Sequence, residues 1–406
     1  MSQSPLRGIR VLDVGTRVAA PFCAGLLGEL GAEVIKVEQP GTGDMMRSLG
    51  PFVPADADAD DSAAGYSLFW AVEGRGRQSV TLDLRRPEGQ EIFKKLASQC
   101  DVICENFRPG TLERWNIGPD DLDPKLVVVR ISVFGQDGPY HERGGLDRLG
   151  IAYGGLLNLT GYVDRPPVRP GLNVADYMTG VFAAHAAIAA LYERDVRGNG
   201  CGQVIDAALY GAVLRVNEWT LAAYDRLGIV RQRYGNRIEN SAPIDNFLAA
   251  NDTYVCIVAG SDSNFRRLCD AMGRPDLLED PRFKTASSRA HYGDMINDEV
   301  TRWVSGLDST EVERRCVEAG VPVAPILDAA GIFADPHIAH RGDLAVIDDP
   351  VAGPIRQQAP FPRLGLKERP APAGAPLLGE HTRSVLAEMC GLDDAELDRL
   401  SEAGII

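Results

Sequence analysis

Apolar positions in the first half of the chain fall into short runs that alternate with amphipathic or small-residue stretches. Ile9-Arg-Val-Leu-Asp-Val-Gly15 reads as a buried strand, Pro21 to Gly31 as a helix ending in glycine, and Glu33 to Glu38 as the next strand, together a βαβ unit. The pattern recurs with a strand from Ser79 to Leu84, a helix opening at Pro87 and running to Gln99, a strand from Asp101 to Glu105, and the β-branched run from Leu126 to Ser132. Such alternation predicts a parallel, Rossmann-like sheet covered by helices. A long helix of small residues is expected over 174–194, and Arg197-Gly-Asn-Gly-Cys-Gly202 turns into a short strand, Gln203 to Asp206, and a helix around 207–225.

Past residue 225 the pattern changes. Arg231 to Arg237 is polar and reads as a crossover, Thr253 to Ala259 as a strand, and charged helices continue to about residue 319. From Asp335 to Leu364 proline and glycine are frequent, which predicts an extended return path; a last amphipathic helix follows Gly379-Glu-His, with Thr382 as its cap and Val385, Leu386 and Met389 as its buried stripe. The expected organisation is an α/β protein with a discontinuous large domain (1–225, then 331–406 as linker and C-terminal part) and a smaller α/β domain inserted at 226–330. The stretch 50–66 is an acidic loop too polar to bury.

A chain of 406 residues, 45% hydrophobic and 24% charged, has enough apolar material for two such cores. Its formal net charge of -15 argues against nucleic acid or an anionic membrane as partner, while leaving room for a local basic pocket. The N-terminus lacks an apolar signal core and no run looks long enough to span a bilayer, the Ala-rich 181–192 stretch being broken by His185; a soluble cytoplasmic protein is expected. The eight cysteines are scattered and imply no disulfide framework; Cys100 and Cys104 lack partners for zinc, and His337 and His340 lack an acidic set, so no metal is expected. Gly41-Thr-Gly43 opens like a dinucleotide fingerprint, but Met46 stands where the third glycine belongs and the motif follows the second strand of its unit, which excludes NAD. A Walker loop and a Gly-x-Ser-x-Gly elbow are both missing.

Two features carry chemistry. Asp176, in Gly171-Leu-Asn-Val-Ala-Asp-Tyr-Met-Thr-Gly180, falls in the first turn of the long helix, where the helix dipole is expected to keep its carboxylate ionised and ready to attack an electrophile. The same position suits an ordinary capping acid. Arg75 and Arg77, then Arg85, Arg86, Arg108 and Arg114, recur at the edges of successive βα units, where an acidic protein would gather cations for an anionic, phosphate-bearing ligand.

These segments resemble the class III CoA-transferases, the family of formyl-CoA transferase, carnitine CoA-transferase and the related acyl-CoA racemases. The matches run along nearly the whole chain: Leu6-Arg-Gly-Ile-Arg-Val-Leu-Asp13, Leu30 to Glu38, Gly43-Asp44, Asp101-Val-Ile-Cys-Glu-Asn-Phe-Arg-Pro-Gly110, Val174-Ala-Asp176 with Thr179-Gly180, Gly202-Gln203, Asp280-Pro-Arg-Phe283 and Ala375-Pro-Leu-Leu-Gly-Glu-His381. The resemblance implies an interlocked homodimer, or a heteromer with a related subunit, with acyl-CoA and a carboxylic acid as substrates. CoA thioester would be a substrate and no cofactor would be permanently bound. Asp176 matches the family's catalytic aspartate, which passes through a mixed anhydride and an aspartyl-CoA thioester. Val18 and Ala19 match the loop near the CoA sulfur; Leu82, Arg85, Asn106, Phe107 and Arg114 match CoA-contacting positions at strand ends, with Arg143 a looser match to a phosphate-binding base. Arg75 and Arg108 join them as candidate phosphate contacts.

Departures narrow the substrate. Gln39 replaces a phosphate-binding Arg of formyl-CoA transferase, Val18 replaces a Gln, and Tyr234-Gly-Asn-Arg-Ile-Glu-Asn-Ser-Ala-Pro243 stands where a tetraglycine loop would close over oxalate, which suggests a bulkier acid. Arg47 and Asn236-Arg237 are candidates to hold a second carboxylate, which points to succinyl-CoA as donor. A 2-methylacyl-CoA racemase would need a His opposite the aspartate, near Gly145-Leu-Asp147; His141 lies too far upstream, so transfer is the favoured reading. A CoA-binding protein without catalysis is the third.

Overall fold

The computed structural model describes residues 4–54, 65–198, 200–365 and 371–406, so most of the acidic 50–66 loop lies outside the described residues. Six strands, β1 (Arg10–Asp13), β2 (Glu33–Glu38), β3 (Gln78–Thr81), β4 (Val102–Glu105), β5 (Val127–Ser132) and β6 (Val204–Ala208), form one parallel sheet in the order β3-β2-β1-β4-β5-β6. Leu12 of β1 lies opposite Ile35 on one side and Ile103 on the other, and all three are fully buried, as expected of strands covered on both faces. The strand order reverses between β1 and β4. A crevice therefore opens there at the carboxyl ends of the strands, the place where such sheets bind ligands.

The crossover segments form the helices that flank this crevice: α1 (Ala19–Glu29), α2 (Leu68–Glu73), α3 (Pro87–Ala97), α4 (Asp147–Tyr153), α5 (Val174–Asp195) and α6 (Leu209–Arg215). Small residues let α1 and α5 approach closely: a Cβ on Gly180 would lie 2.9 Å from Phe22 Cδ1 and 3.0 Å from the Ala19 carbonyl oxygen. By length and composition α5 could cross a bilayer, contrary to the sequence reading, because one His does not interrupt its apolar stretch. Its Ala175, Ala183, Ala187 and Ala190 are instead buried within the fold. The expected 207–225 helix is two, Leu209–Arg215 and Thr220–Leu227, parted where Asn217 donates to the Gly154 carbonyl (2.7 Å) and Glu218 takes a left-handed φ of 51°.

The C-terminal residues return to the first sheet, where Val385, Leu386, Leu397, Leu400 and Ile405 share a core with Leu12, Ile35, Phe93 and Leu96. Thr382 does not cap its helix; its hydroxyl accepts from the Thr81 N–H (2.9 Å) and so ties the segment to β3. A further helix, Asp394–Glu402, begins with an Asp393/Glu396 capping box. The return path is not wholly extended. It holds a short helix, Pro336–Arg341, and a hairpin pairing Leu344–Asp349 with Gly353–Gln358, because Pro350 falls in the turn and leaves the β-branched residues free to pair.

A second compact unit comprises Leu157–Arg169 and Ala222–Ala339. The 157–169 segment, expected in the large domain, belongs here: Arg233 donates to the carbonyls of Asn158 (3.1 Å) and Tyr162 (3.3 Å). Antiparallel strands Ile244–Leu248, Tyr254–Val258 and Val323–Pro325 pack with helices Asp262–Met272, Gly293–Val304 and Ser309–Ala319 around Phe265, Leu268, Ile296 and Val312.

Gly202 shows how closely the sheet is joined at the edge strand. A Cβ there would overlap the Leu126 carbonyl oxygen, a backbone atom that cannot swing away. Gly202→Ala is therefore expected to destabilise the protein by about 3 kcal/mol, read as a lower urea midpoint, since overpacking against main chain has no side chain to yield.

Candidate active site

The loop between β1 and α1 forms the floor of the crevice, and hydrogen bonds and buried charges hold its backbone. Asn106, just past β4, clasps the Thr16 peptide from both sides: its carbonyl accepts from the Thr16 N–H (2.8 Å) and its amide donates to the Thr16 oxygen (2.7 Å). One oxygen of Asp44 accepts from the backbone N–H groups of Arg17 (3.1 Å) and Met46 (2.9 Å), while the other lies 3.0 Å from Lys36 Nζ. Lys36 also lies 3.4 Å from Asp13 and donates to the Gly15 carbonyl, and Asp13 faces Arg77 Nε at 3.5 Å. Burial opposes the charge on Asp44, yet Lys36 and the surrounding N–H donors hold its carboxyl below the usual range. This buried chain of alternating charges fixes the loop; removing one member would leave its neighbour unpaired, at a cost of roughly 3–5 kcal/mol.

Asp176 stands in the first turn of α5, beside that loop, and two contacts fix the turn. The Tyr177 hydroxyl donates to Glu73 (2.8 Å), and its ring meets Phe22 edge-on with centroids 4.8 Å apart. The capping acid of α5 is Asp147, reaching across from α4: one carboxylate oxygen accepts from the N–H groups of Ala175 (2.7 Å) and Asp176 (3.2 Å), and its other oxygen is buried with no partner. The Asp176 carboxylate itself accepts no hydrogen bond among the described residues, so the ordinary capping role belongs to another residue. Its expected full ionisation at neutral pH does not hold. Burial, reinforced by the negative charge of Asp147 and only partly offset by Arg17, pushes the Asp176 carboxyl up to about 7, because the N–H donors of the helix end are taken by Asp147.

Leu82, Arg85 and Phe107 line a cleft of about 230 Å³ together with Gly15, Thr16 and Trp115. Phe107 and Trp115 pack edge to face at 5.2 Å, giving the cleft an aromatic wall. Val18 and Ala19 are buried at the start of α1, Asn106 holds the loop, and Arg108 and Arg114 are exposed on the segment after β4. Arg143 stacks on Tyr140 at 3.6 Å, and Arg108 lies against the neighbouring Gly144, 2.9 Å from where a Cβ would stand. These cations share the crevice end of the sheet. Arg85 is already paired with Asp83 (2.8 Å).

Arg75 does not join them. It sits just before β3, at the amino-terminal edge of the sheet, bound to Glu29 (2.6 Å) and the Gln358 carbonyl (2.8 Å), because the loop preceding a parallel strand lies at the opposite edge from the loop that follows it. Arg77 is a core residue of the charge chain. Neither cation expected to take a second carboxylate is vacant: Arg47 makes two 2.7 Å bonds to Glu38 and lies 3.7 Å over Trp70, and Arg237 pairs with Asp245 (2.6 Å) and Asp294. No role was read in the sequence for Arg17, Lys36, Asp44 or Asp147, although Lys36 and Asp44 lie in matching segments. Arg17 was marked only by its place between strand and helix in Gly15-Thr-Arg-Val18. Gly145-Leu-Asp147, near which a racemase would need its His, contains none, and His141 is held in a loop on the Gly138 carbonyl (2.7 Å). Among the described residues no group of three or more His, Cys, Asp or Glu is arranged to hold a metal.

Known proteins resemble this chain over nearly its whole length. The model of CoA-transferase family III matches residues 6–382. Succinyl-CoA–D-citramalate CoA-transferase of Chloroflexus aurantiacus is 38% identical, with 99% of this chain and 98% of that protein aligned. Succinyl-CoA:mesaconate CoA-transferase of Haloarcula marismortui is 37% identical over 96% of this chain and 97% of its own. The crystal structure of a CAIB/BAIF family protein from Brucella suis superposes with a TM-score of 0.83 at 31% identity, covering 96% of this chain and 100% of that one. Likeness of this extent, on a parallel sheet that carries an uncommitted carboxylate at its crevice, makes the chain a class III CoA-transferase, a member of CoA-transferase family III.

Proposed function

We propose that the protein moves CoA reversibly from succinyl-CoA to a dicarboxylic acid, with Asp176 as covalent nucleophile. The observation that carries this reading is the Asp176 carboxylate, held at the crevice with no hydrogen bond of its own and beside an arginine. The donor is inferred from the named substrates of the relatives, and the acceptor class from their citramalate and mesaconate.

An Asp176 oxygen attacks the thioester carbonyl; the C–S bond breaks and CoA leaves as thiolate, giving a succinyl-aspartyl anhydride. The thiolate then attacks the aspartyl carbonyl, releasing succinate and forming an aspartyl-CoA thioester. An acceptor carboxylate takes the aspartyl acyl group and frees the thiolate again, which attacks the acceptor side of the new anhydride and regenerates Asp176. No proton is gained or lost overall. Overall one thioester is consumed and another formed, so the transfer is close to balance and runs both ways. The aromatic and aliphatic cleft suits the adenine end of CoA, and Arg108, Arg114 and Arg143 suit its phosphates.

A second chain completes the particle in this reading. Val181, Ile188 and Tyr192 form an exposed apolar stripe along one face of α5, which an interlocked copy or related subunit would cover. Incubation with succinyl-CoA and a panel of dicarboxylic acids should yield the matching new CoA thioester by mass spectrometry. Failure with every acid would sink the proposal. Exchange of the α-proton of a 2-methylacyl-CoA without acceptor would favour racemisation, and binding without either reaction a non-catalytic role.

A further inference from the structure

Arg17 is the one residue of the crevice loop whose backbone and side chain both demand explanation. Its φ is 65°, in the left-handed region, which costs energy for any side chain with a Cβ and none for glycine. The loop enforces that conformation through the bonds from Asp44 to the Arg17 N–H and from Asn106 to the Thr16 peptide. The guanidinium is half-buried, yet it forms no hydrogen bond, ion pair or ring contact among the described residues. A strained backbone that keeps an arginine where glycine would be cheaper is explained by the side chain it presents.

The place it occupies identifies the ligand. The residues after it, Val18 and Ala19, pack against the α5 turn: Val18 shares an apolar cluster with Tyr177, and the Ala19 carbonyl lies 3.0 Å from where a Cβ on Gly180 would stand. Arg17 is therefore beside Asp176, which also feels the negative charge of Asp147, and the Arg17 N–H is bound by Asp44. A donor that brings a second negative charge into such surroundings needs a cation to receive it, and Arg47 and Arg237 are both committed to carboxylates of the protein. The exposed arginines near Phe107 and Tyr140 are left for phosphate. We propose that Arg17 is the specificity-determining residue for the acyl group, binding the distal carboxylate of a dicarboxyl-CoA substrate while Asp176 attacks the thioester. The assignment rests on the reading of succinyl-CoA as donor.

The test compares succinyl-CoA with butyryl-CoA, which has the same chain length and lacks only the carboxylate, in the wild type and in Arg17→Met, Arg17→Lys and Arg17→Gly. Compared at pH 9, where the Asp176 carboxyl that Arg17 helps to ionise is charged in both proteins, R17M should lose about 10²–10³-fold in kcat/KM for succinyl-CoA, chiefly through KM, and at least tenfold less for butyryl-CoA, because only the first substrate loses a charge-assisted bond. R17K should recover part of the loss. R17G relieves the left-handed strain, so it should melt higher than the wild type and still lose the preference, which separates recognition from folding. An equal fall with both donors, or none with either, overturns the assignment. A wild type that uses butyryl-CoA but not succinyl-CoA overturns the donor reading and the role of Arg17 with it; a succinyl preference that survives in R17M overturns the role of Arg17 alone.

Discussion

Asp176→Ala should abolish CoA transfer, with kcat lower by about 10³–10⁶-fold, while CoA itself binds with little change. The size follows from the role: without the carboxylate no covalent intermediate can form, and removal of a nucleophile costs far more than removal of a binding contact. Binding should survive because the cleft proposed for CoA, formed by Leu82, Phe107 and Trp115, takes no part from Asp176. In the wild type, succinyl-CoA without acceptor should leave an adduct on the peptide containing Asp176 that hydroxylamine cleaves. Turnover retained in D176A, or an adduct on another residue, removes Asp176 from the mechanism. Stability gives an independent reading. The Asp176 carboxyl is raised from its ordinary 3.8 to about 7, chiefly by burial, so its contribution to stability is present below pH 4 and is lost as pH rises toward 7. Asp176→Asn should therefore melt like the wild type at pH 3 and above it at pH 8. Unequal melting at pH 3 would mean that the Asn itself disturbs the turn.

The sheet was legible because its strands are buried on both faces and so read as plain apolar runs; Glu33–Glu38 coincides with the expected strand at both ends. Ends elsewhere moved by a few residues, and two elements of the return path were hidden because proline and glycine mark turns and loops alike. Asp176 was singled out through the motif around it, yet the effect of its surroundings on its ionisation was not legible. The helix-dipole argument looks only along the chain, whereas the group that takes the helix-end donors, Asp147, comes from 29 residues earlier. Arg75 failed for a related reason: a recurrence of arginines in sequence does not tell the amino-terminal edge of a sheet from the carboxyl-terminal edge. Arg47 matched a plausible need for a cation, but pairing with Glu38 across the end of β2 is visible only once the loop is folded. Arg17 could have been singled out only by its position, since a left-handed φ leaves no mark on an arginine.

Asp147→Asn is the substitution that tests how the nucleophile is tuned. Asparagine keeps an oxygen that can accept from the N–H groups of Ala175 and Asp176, so the α5 turn stays capped, but the negative charge next to Asp176 is gone. Burial still holds the Asp176 carboxyl above the ordinary range; losing the second cause of its rise must bring it down from about 7. In the proposed mechanism the carboxylate attacks, so the wild-type rate should climb with pH through about 7, with about a tenth of the sites ionised one unit below. A fall of about one unit in the variant would leave roughly half ionised at the same pH, and kcat/KM at pH 6 should rise by about fivefold. At pH 8 both proteins are ionised and should turn over alike. Asp147→Ala provides the contrast: it removes the charge and the acceptor together, leaves the helix-end N–H groups unpaired, and should lose at least about tenfold at every pH because the attacking oxygen is no longer oriented. A D147N profile that coincides with that of the wild type would mean that the charge of Asp147 does not reach the nucleophile, whereas a loss in D147N as deep at pH 8 as at pH 6 would make Asp147 a positioning residue alone.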